Sequence, residues 1–189
     1  MDHKEYKLYR VLSFIFFPAF IAAIEILVFA PFSKNIFGSL IIGLSFFTLY
    51  PTLSIYKKYL NGEIDLDVSD RLERPRIFAS AITGFDACAG IFWFIGDRLM
   101  LAVSLSYFIV TTFIMLINFF SKISTHTAGL AGPITAAVFY FGIYYAPLYL
   151  LLLPVAYARF KLGMHNRFQL TAGAVVSTVL TYLIFSLVL

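Results

Sequence analysis

Two short polar islands interrupt an otherwise apolar chain, and they hold two of its three histidines. The first is Ser124-Thr125-His126. The second runs from Arg159 to His165. An ionisable side chain among membrane helices is costly and marks a functional site by default. A Ser-x-His followed by an Arg-x5-His is what a site needs to hold a phosphate and attack it with an imidazole. Guanidinium binds phosphate through paired hydrogen bonds, which suits Arg159. One histidine can be the nucleophile. The other can protonate the leaving oxygen, because its pKa lies near neutrality. The Ser124 hydroxyl and the amides of a following helix start can donate to phosphate oxygens.

A third polar segment, Asp65 to Arg76, supplies Arg74. Phosphoryl transfer needs cations around the equatorial oxygens, an in-line nucleophile and an acid for the leaving oxygen. Arg74, Arg159 and Ser124 suit the first role, and His165 and His126 the other two. The carboxylates Asp65, Asp67, Asp70 and Glu73 read as a solvated loop with local salt bridges. Two histidines alone make a poor zinc site. No metal or other cofactor is expected.

Helices in a bilayer must position these groups. The chain has 189 residues, 61% hydrophobic and 13% charged, with a mean hydropathy of +0.89. Several runs exceed the roughly 18 apolar residues of a membrane span. The expected fold is an all-α integral-membrane bundle forming a single transmembrane domain over residues 1–189. The charged start, Met1 to Lys7, does not suit a signal peptide, so the first apolar run reads as a retained span. The basic residues form no run, and a net charge of +4 gives no nucleic-acid signature. Cys88 is the single cysteine and has no internal disulfide partner.

The expected spans are Arg10–Phe32, Ile36–Tyr56, Ile77–Gly96, Leu99–Phe120 and Phe168–Leu189, plus the stretch between the islands. That stretch, Thr127 to Ala158, carries no charge. As one straight helix it would be about 48 Å long, against a hydrocarbon core of about 30 Å. One span would also put His126 and His165 on opposite faces. Two helices of about 22 Å, Thr127–Phe141 and Tyr145–Arg159, put both on one face. Gly142 and Pro147 suit the turn. The count is then seven helices, with six as the alternative. Twelve basic residues fall on the island face, against Lys34 and Arg98 on the other. Nine remain when Arg71, Arg74 and Arg159 are set aside as site residues, so the site face is expected to be cytoplasmic.

At these residues the chain resembles the type 2 phosphatidic acid phosphatase family, the membrane lipid phosphatases that share a fold with vanadium haloperoxidases. That family carries K-x6-R-P, P-S-G-H and S-R-x5-H-x3-D. Arg74-Pro75 matches the end of the first, Ser124-x-His126 the second and Arg159-x5-His165 the third, all within residues 67–173. The resemblance implies His165 as nucleophile, His126 as general acid, and Arg74, Arg159 and Ser124 as the phosphate cradle. It implies a metal-independent hydrolase that acts on a lipid phosphate, such as a polyprenyl diphosphate or a phosphatidate-like molecule, through a phosphohistidine.

The departures define a divergent branch. Asp67 stands at the first-motif lysine, Ile123 and Thr125 at the second-motif Pro and Gly, and Ala158 at the third-motif serine. Gln169 replaces the aspartate that orients the nucleophile. Its amide oxygen can still accept the imidazole N–H but brings no charge. Arg71 or Lys161 is the candidate for the missing lysine. Two alternatives stand beside the phosphatase. One is a transporter or lipid-binding protein that keeps the phosphate pocket, which Gln169 and the intramembrane Glu25 and Asp86 favour. The other is a lipid phosphotransferase. A buried hydrogen bond is the simpler expectation for Glu25 and Asp86, and close helix packing for Gly129, Gly132 and Gly173.

Overall fold

The computed structural model describes residues 2–65, 68 and 70–189. The helices are α1 (His3–Ile15), α2 (Pro18–Phe29), α3 (Ile36–Gly43), α4 (Tyr50–Leu60), α5 (Arg74–Ile95), α6 (Arg98–Asn118), α7 (Thr125–Phe141), α8 (Leu152–Lys161) and α9 (Arg167–Val188). No strand occurs among the described residues. Among the described residues, six stretches are long and apolar enough to cross a membrane: His3–Phe32, Ile36–Leu60, Arg74–Ile95, Arg98–Asn118, Ile143–Lys161 and Arg167–Val188. With α7 they make seven legs of an all-α, multi-pass membrane bundle. Large apolar side chains such as Phe94, Phe120 and Tyr144 face outward, as a lipid-facing surface requires.

The first leg differs from the single span expected over Arg10–Phe32. Its helix starts at His3, where Asp2 and Glu5 form a reciprocal capping box. It then breaks before Pro18. Proline lacks the N–H and pushes the preceding residue out of helical conformation, so Phe17 sits at φ −62°, ψ 133°. The break lets α1 pack on α8, with Tyr9 edge-on to Tyr157 at 5.7 Å, while α2 packs on α7. The second leg is also irregular. α3 passes through a π-helical segment, Leu44–Leu49, into α4 just before Pro51.

The stretch between the islands turns back on itself. α7 ends at Gly142, whose φ of 105° is open to glycine and strained for other residues. The return leg packs back on α7: Val155 shares a buried cluster with Leu130 and Ile134, and Val138, Tyr149 and Leu152 pack against that cluster. The Thr135 and Tyr149 hydroxyls bond at 2.7 Å. The return leg is not the short α-helix the sequence suggested. Ile143–Leu151 is a 3₁₀ stretch that continues into α8. A 3₁₀ helix rises about 2.0 Å per residue instead of 1.5 Å, so the leg reaches about 33 Å and crosses the hydrocarbon core unaided.

The largest apolar cluster gathers around Phe29, Phe47, Phe85, Phe92, Met100 and Phe185, and a smaller one, Val110, Ile114, Ile123 and Ala128, lies beside the first island. The α5–α6 turn closes the end opposite the islands: Asp97 accepts the Met100 amide at 3.1 Å and the Lys34 amide at 2.8 Å. Within the spans, Glu25 takes the expected buried bond, accepting from the Tyr107 hydroxyl at 2.7 Å. Asp86 does not. It lies on the exposed face of α5.

Candidate functional site

The two islands are joined by backbone. Ser124 is the N-cap of α7, and its Oγ accepts the Thr127 amide at 3.3 Å. The Ser124 amide donates to the Gln169 carbonyl at 3.2 Å. The Thr127 hydroxyl donates to the Leu170 carbonyl at 2.8 Å. The starts of α7 and α9 therefore run together, and Gly173 makes this possible. A Cβ there would sit 2.5 Å from the Ser124 carbonyl oxygen and 2.6 Å from Thr127 Oγ1. No side chain fits at that separation.

Each sequence-predicted group reaches this junction by its own route. Arg159 lies in the last turn of α8 and is 2% exposed, the largest of the fully buried side chains. The chain then turns at Leu162-Gly163 and delivers His165 just before α9. Arg74 begins α5, buried, with Nε donating to the Val68 carbonyl at 2.9 Å and Nη1 to the Ile123 carbonyl at 3.3 Å. It ties the loop before α5 to the first island. Val68 holds its carbonyl from a left-handed backbone, φ 46°, an uncommon and strained setting for a β-branched residue. His126 is buried in the first turn of α7, its ring edge-on to Phe17 at 6.2 Å. Ser124 is fully buried. The bond it accepts leaves its hydroxyl proton available to an anion.

Gln169 performs two tasks. It forms a capping box with Asn166: the Gln169 amide donates to Asn166 Oδ1 at 2.9 Å, and the Asn166 amide donates to Gln169 Oε1 at 3.2 Å. The same Oε1 lies 3.3 Å from His165 Nδ1. A backbone N–H can only donate, so Asn166 fixes which end of the Gln169 side chain faces the ring. His165 Nδ1 must then carry the proton, which leaves the Nε2 lone pair free for attack.

Burial is the main force that pushes the His165 pKa down, to about 4 from an ordinary 6.5. The charges of Arg74, then Arg159, act in the same direction, and Lys122 adds a smaller push. The Gln169 bond opposes them. Among the described residues every charge acting on this imidazole is positive. A neutral imidazole ringed by cations can bind an anion and present a nucleophilic nitrogen to it.

Arg71 and Lys161 are not brought into this group. Arg71 Nη1 donates to the Phe119 carbonyl at 3.2 Å, and Asn118 returns a bond to the Arg71 carbonyl at 3.0 Å, so the pair latches the loop to the end of α6. Lys161 is exposed, with Nζ 5.4 Å from the Tyr157 ring centre. Lys122 is the cation that the motif pattern did not single out, since it counted there only as a topology signal. It is half-buried and acts on His165, and its place two residues before Ser124 was the available clue. Asp67 lies outside the described residues. Among the described residues, no group of three or more His, Cys, Asp or Glu side chains comes together in a way that could hold a metal ion.

Comparison of the chain with protein-family models, with curated proteins and with solved structures finds no match.

Proposed function

We propose that this protein is an integral-membrane lipid phosphatase of the type 2 phosphatidic acid phosphatase kind, in a branch that uses Gln169 in place of aspartate. The observation that carries the reading is the oriented His165: Nδ1 held by Gln169 Oε1 and the ring under the charges of Arg74 and Arg159. The phosphate of a lipid monoester or diphosphate binds among Arg74, Arg159, Lys122 and Ser124. His165 Nε2 forms a P–N bond as the bond from phosphorus to the leaving oxygen breaks. Protonated His126 gives its proton to that oxygen. Neutral His126 then takes a proton from water, whose oxygen attacks phosphorus, breaks the P–N bond and releases inorganic phosphate. The charge asymmetry between the faces supports a cytoplasmic site.

Phosphate release from a panel of lipid phosphates, measured with EDTA present, tests the reading. His165→Ala should abolish it, and unchanged release would overturn the assignment. One observation favours a second reading, a phosphate-binding membrane protein without turnover: the residue behind His165 carries no charge. Turnover that is absent in the native protein and appears in Gln169→Asp would support that reading instead.

A further inference from the structure

A cavity leads from the phosphate cluster into the bundle. Arg74 and His126 line its mouth, and Glu25 and Tyr107 line its deep end. Ala22, Ile77, Ala81 and Val110 are among its largely apolar walls. Along α5 it extends from Arg74 to Phe85, which is about 16 Å of helix. The deep end is polar and already satisfied, because the Tyr107 hydroxyl donates to Glu25 Oε2 at 2.7 Å. A methyl terminus that passed this point would have to separate these buried polar groups and leave them without partners, which is costly.

We propose that this cavity holds a hydrocarbon chain of an anionic amphiphile whose phosphate lies at Arg74 and Arg159, and that the Glu25–Tyr107 pair is its floor. The proposal rests on the phosphate-site reading above and narrows its substrate class. Charge complementarity selects the occupant: Arg74 at the mouth meets the phosphate, and apolar walls meet the chain. An extended chain advances about 1.2 Å per bond, a third of the rise of a fully extended residue, so the floor lies about a dozen carbons from the phosphate. Longer polyprenyl chains do not fit inside. The bilayer is as apolar as the cavity walls, so added methylenes gain little before the floor is reached. The signature is a break in chain-length dependence, not a gradual rise.

The test uses the full chain in mixed micelles with n-alkyl phosphates from hexyl to eicosyl, reading kcat/KM for phosphate release. Binding of the matching non-hydrolysable alkyl phosphonates is read in parallel. The native protein should hold a plateau to about a dozen carbons and then fall by about tenfold or more. Ala81→Phe obstructs the cavity seven residues along α5 from Arg74, about 10 Å in, and should move the break to about eight carbons. Glu25→Ala removes the floor and should move the break to longer chains. Misfolding cannot shift a break in opposite directions in two variants. A profile with no break, or a break that neither variant moves, overturns the proposal. If no phosphate is released but phosphonate binding breaks and shifts as stated, the tail site stands and the phosphatase reading fails.

Discussion

His165 Nδ1 and Asn166 N–H share one acceptor, Gln169 Oε1, at 3.3 and 3.2 Å. The residue that caps α9 is thus the residue that orients the imidazole. Glutamate has the same reach and can keep both bonds while adding charge. A hydrogen bond to a charged group contributes about 1.5–3 kcal/mol, against about 0.5–1.5 for a neutral pair. Gln169→Glu should therefore speed phosphohistidine formation about tenfold, read by single-turnover phosphate release. Gln169→Ala should slow it by a similar factor and also weaken the α9 cap.

In the proposed mechanism the depressed pKa of His165 sets the acid limb of activity. Attack needs the neutral ring, so kcat/KM should hold as pH falls through 6.5 and drop only near pH 4. In Gln169→Glu the carboxylate favours the imidazolium, and the limb should move up. Stability follows the same group. Its folded pKa lies below its ordinary value, so the unfolded chain takes up the proton first. Stability is intact above about 6.5 and declines as pH drops toward 4, with no further loss from this residue below that. Denaturation at several pH values should show that decline, and His165→Ala should remove its share.

Gly173 and Gly90 make a matched pair of glycines in transmembrane helices. A Cβ at Gly173 would meet the Ser124 carbonyl oxygen at 2.5 Å, whereas at Gly90 it meets nothing within 4 Å. Gly173→Ala should separate α7 from α9, cost about 1–3 kcal/mol and remove most activity. Gly90→Ala should stabilise α5 by about 0.5–1 kcal/mol and leave activity alone. Thermal melts and phosphate release on both variants check the contrast.

Lys122 and Lys161 should separate just as cleanly. Lys122 acts on His165, and Lys161 sits outside over Tyr157. Lys122→Met should raise KM about tenfold, the loss expected when one charge-assisted bond to phosphate is removed. Lys161→Met should change KM by less than about twofold, since an exposed cation–π contact contributes little.

Sidedness can be read with an impermeant thiol reagent after buried Cys88 is replaced by serine. Cysteines at Glu63 and Asn166 should label from one side, and a cysteine at the exposed Tyr144 from the other. Labelling of Glu63 and Asn166 only in opened cells would support the cytoplasmic assignment.

Much of the bundle was legible because lipid imposes simple rules. Length and apolarity located the spans, and the need to place His126 and His165 on one face predicted the turn at Gly142. What stayed hidden depends on backbone detail. Pro18 sits in an apolar run whose hydropathy conceals the break at Phe17. The 3₁₀ stretch carries only Pro147 as a signal, and proline in the membrane is common. Motif spacing singled out His165, Arg159, Arg74, Ser124 and His126, and the structure buries all five. Spacing could not rank the lysines, because proximity to His165 depends on how the loops fold. Gln169 looked like a loss when compared with aspartate. Its value as an N3 capping residue became visible only with Asn166 beside it.

The 3₁₀ stretch also acts as a gauge. With three residues per turn its inward positions align as a straight edge: Ala146 and Tyr149 are its less exposed residues, and Leu152 and Val155 continue the line into α8. Deleting one residue from Ile143–Leu151 would draw α8 back by about 2 Å and rotate it by about 120° around its axis. Arg159 would then swing out of its buried place beside the islands although no residue near it had changed. The register of the island-bearing end is thus metered by nine residues that start from the opposite side of the membrane.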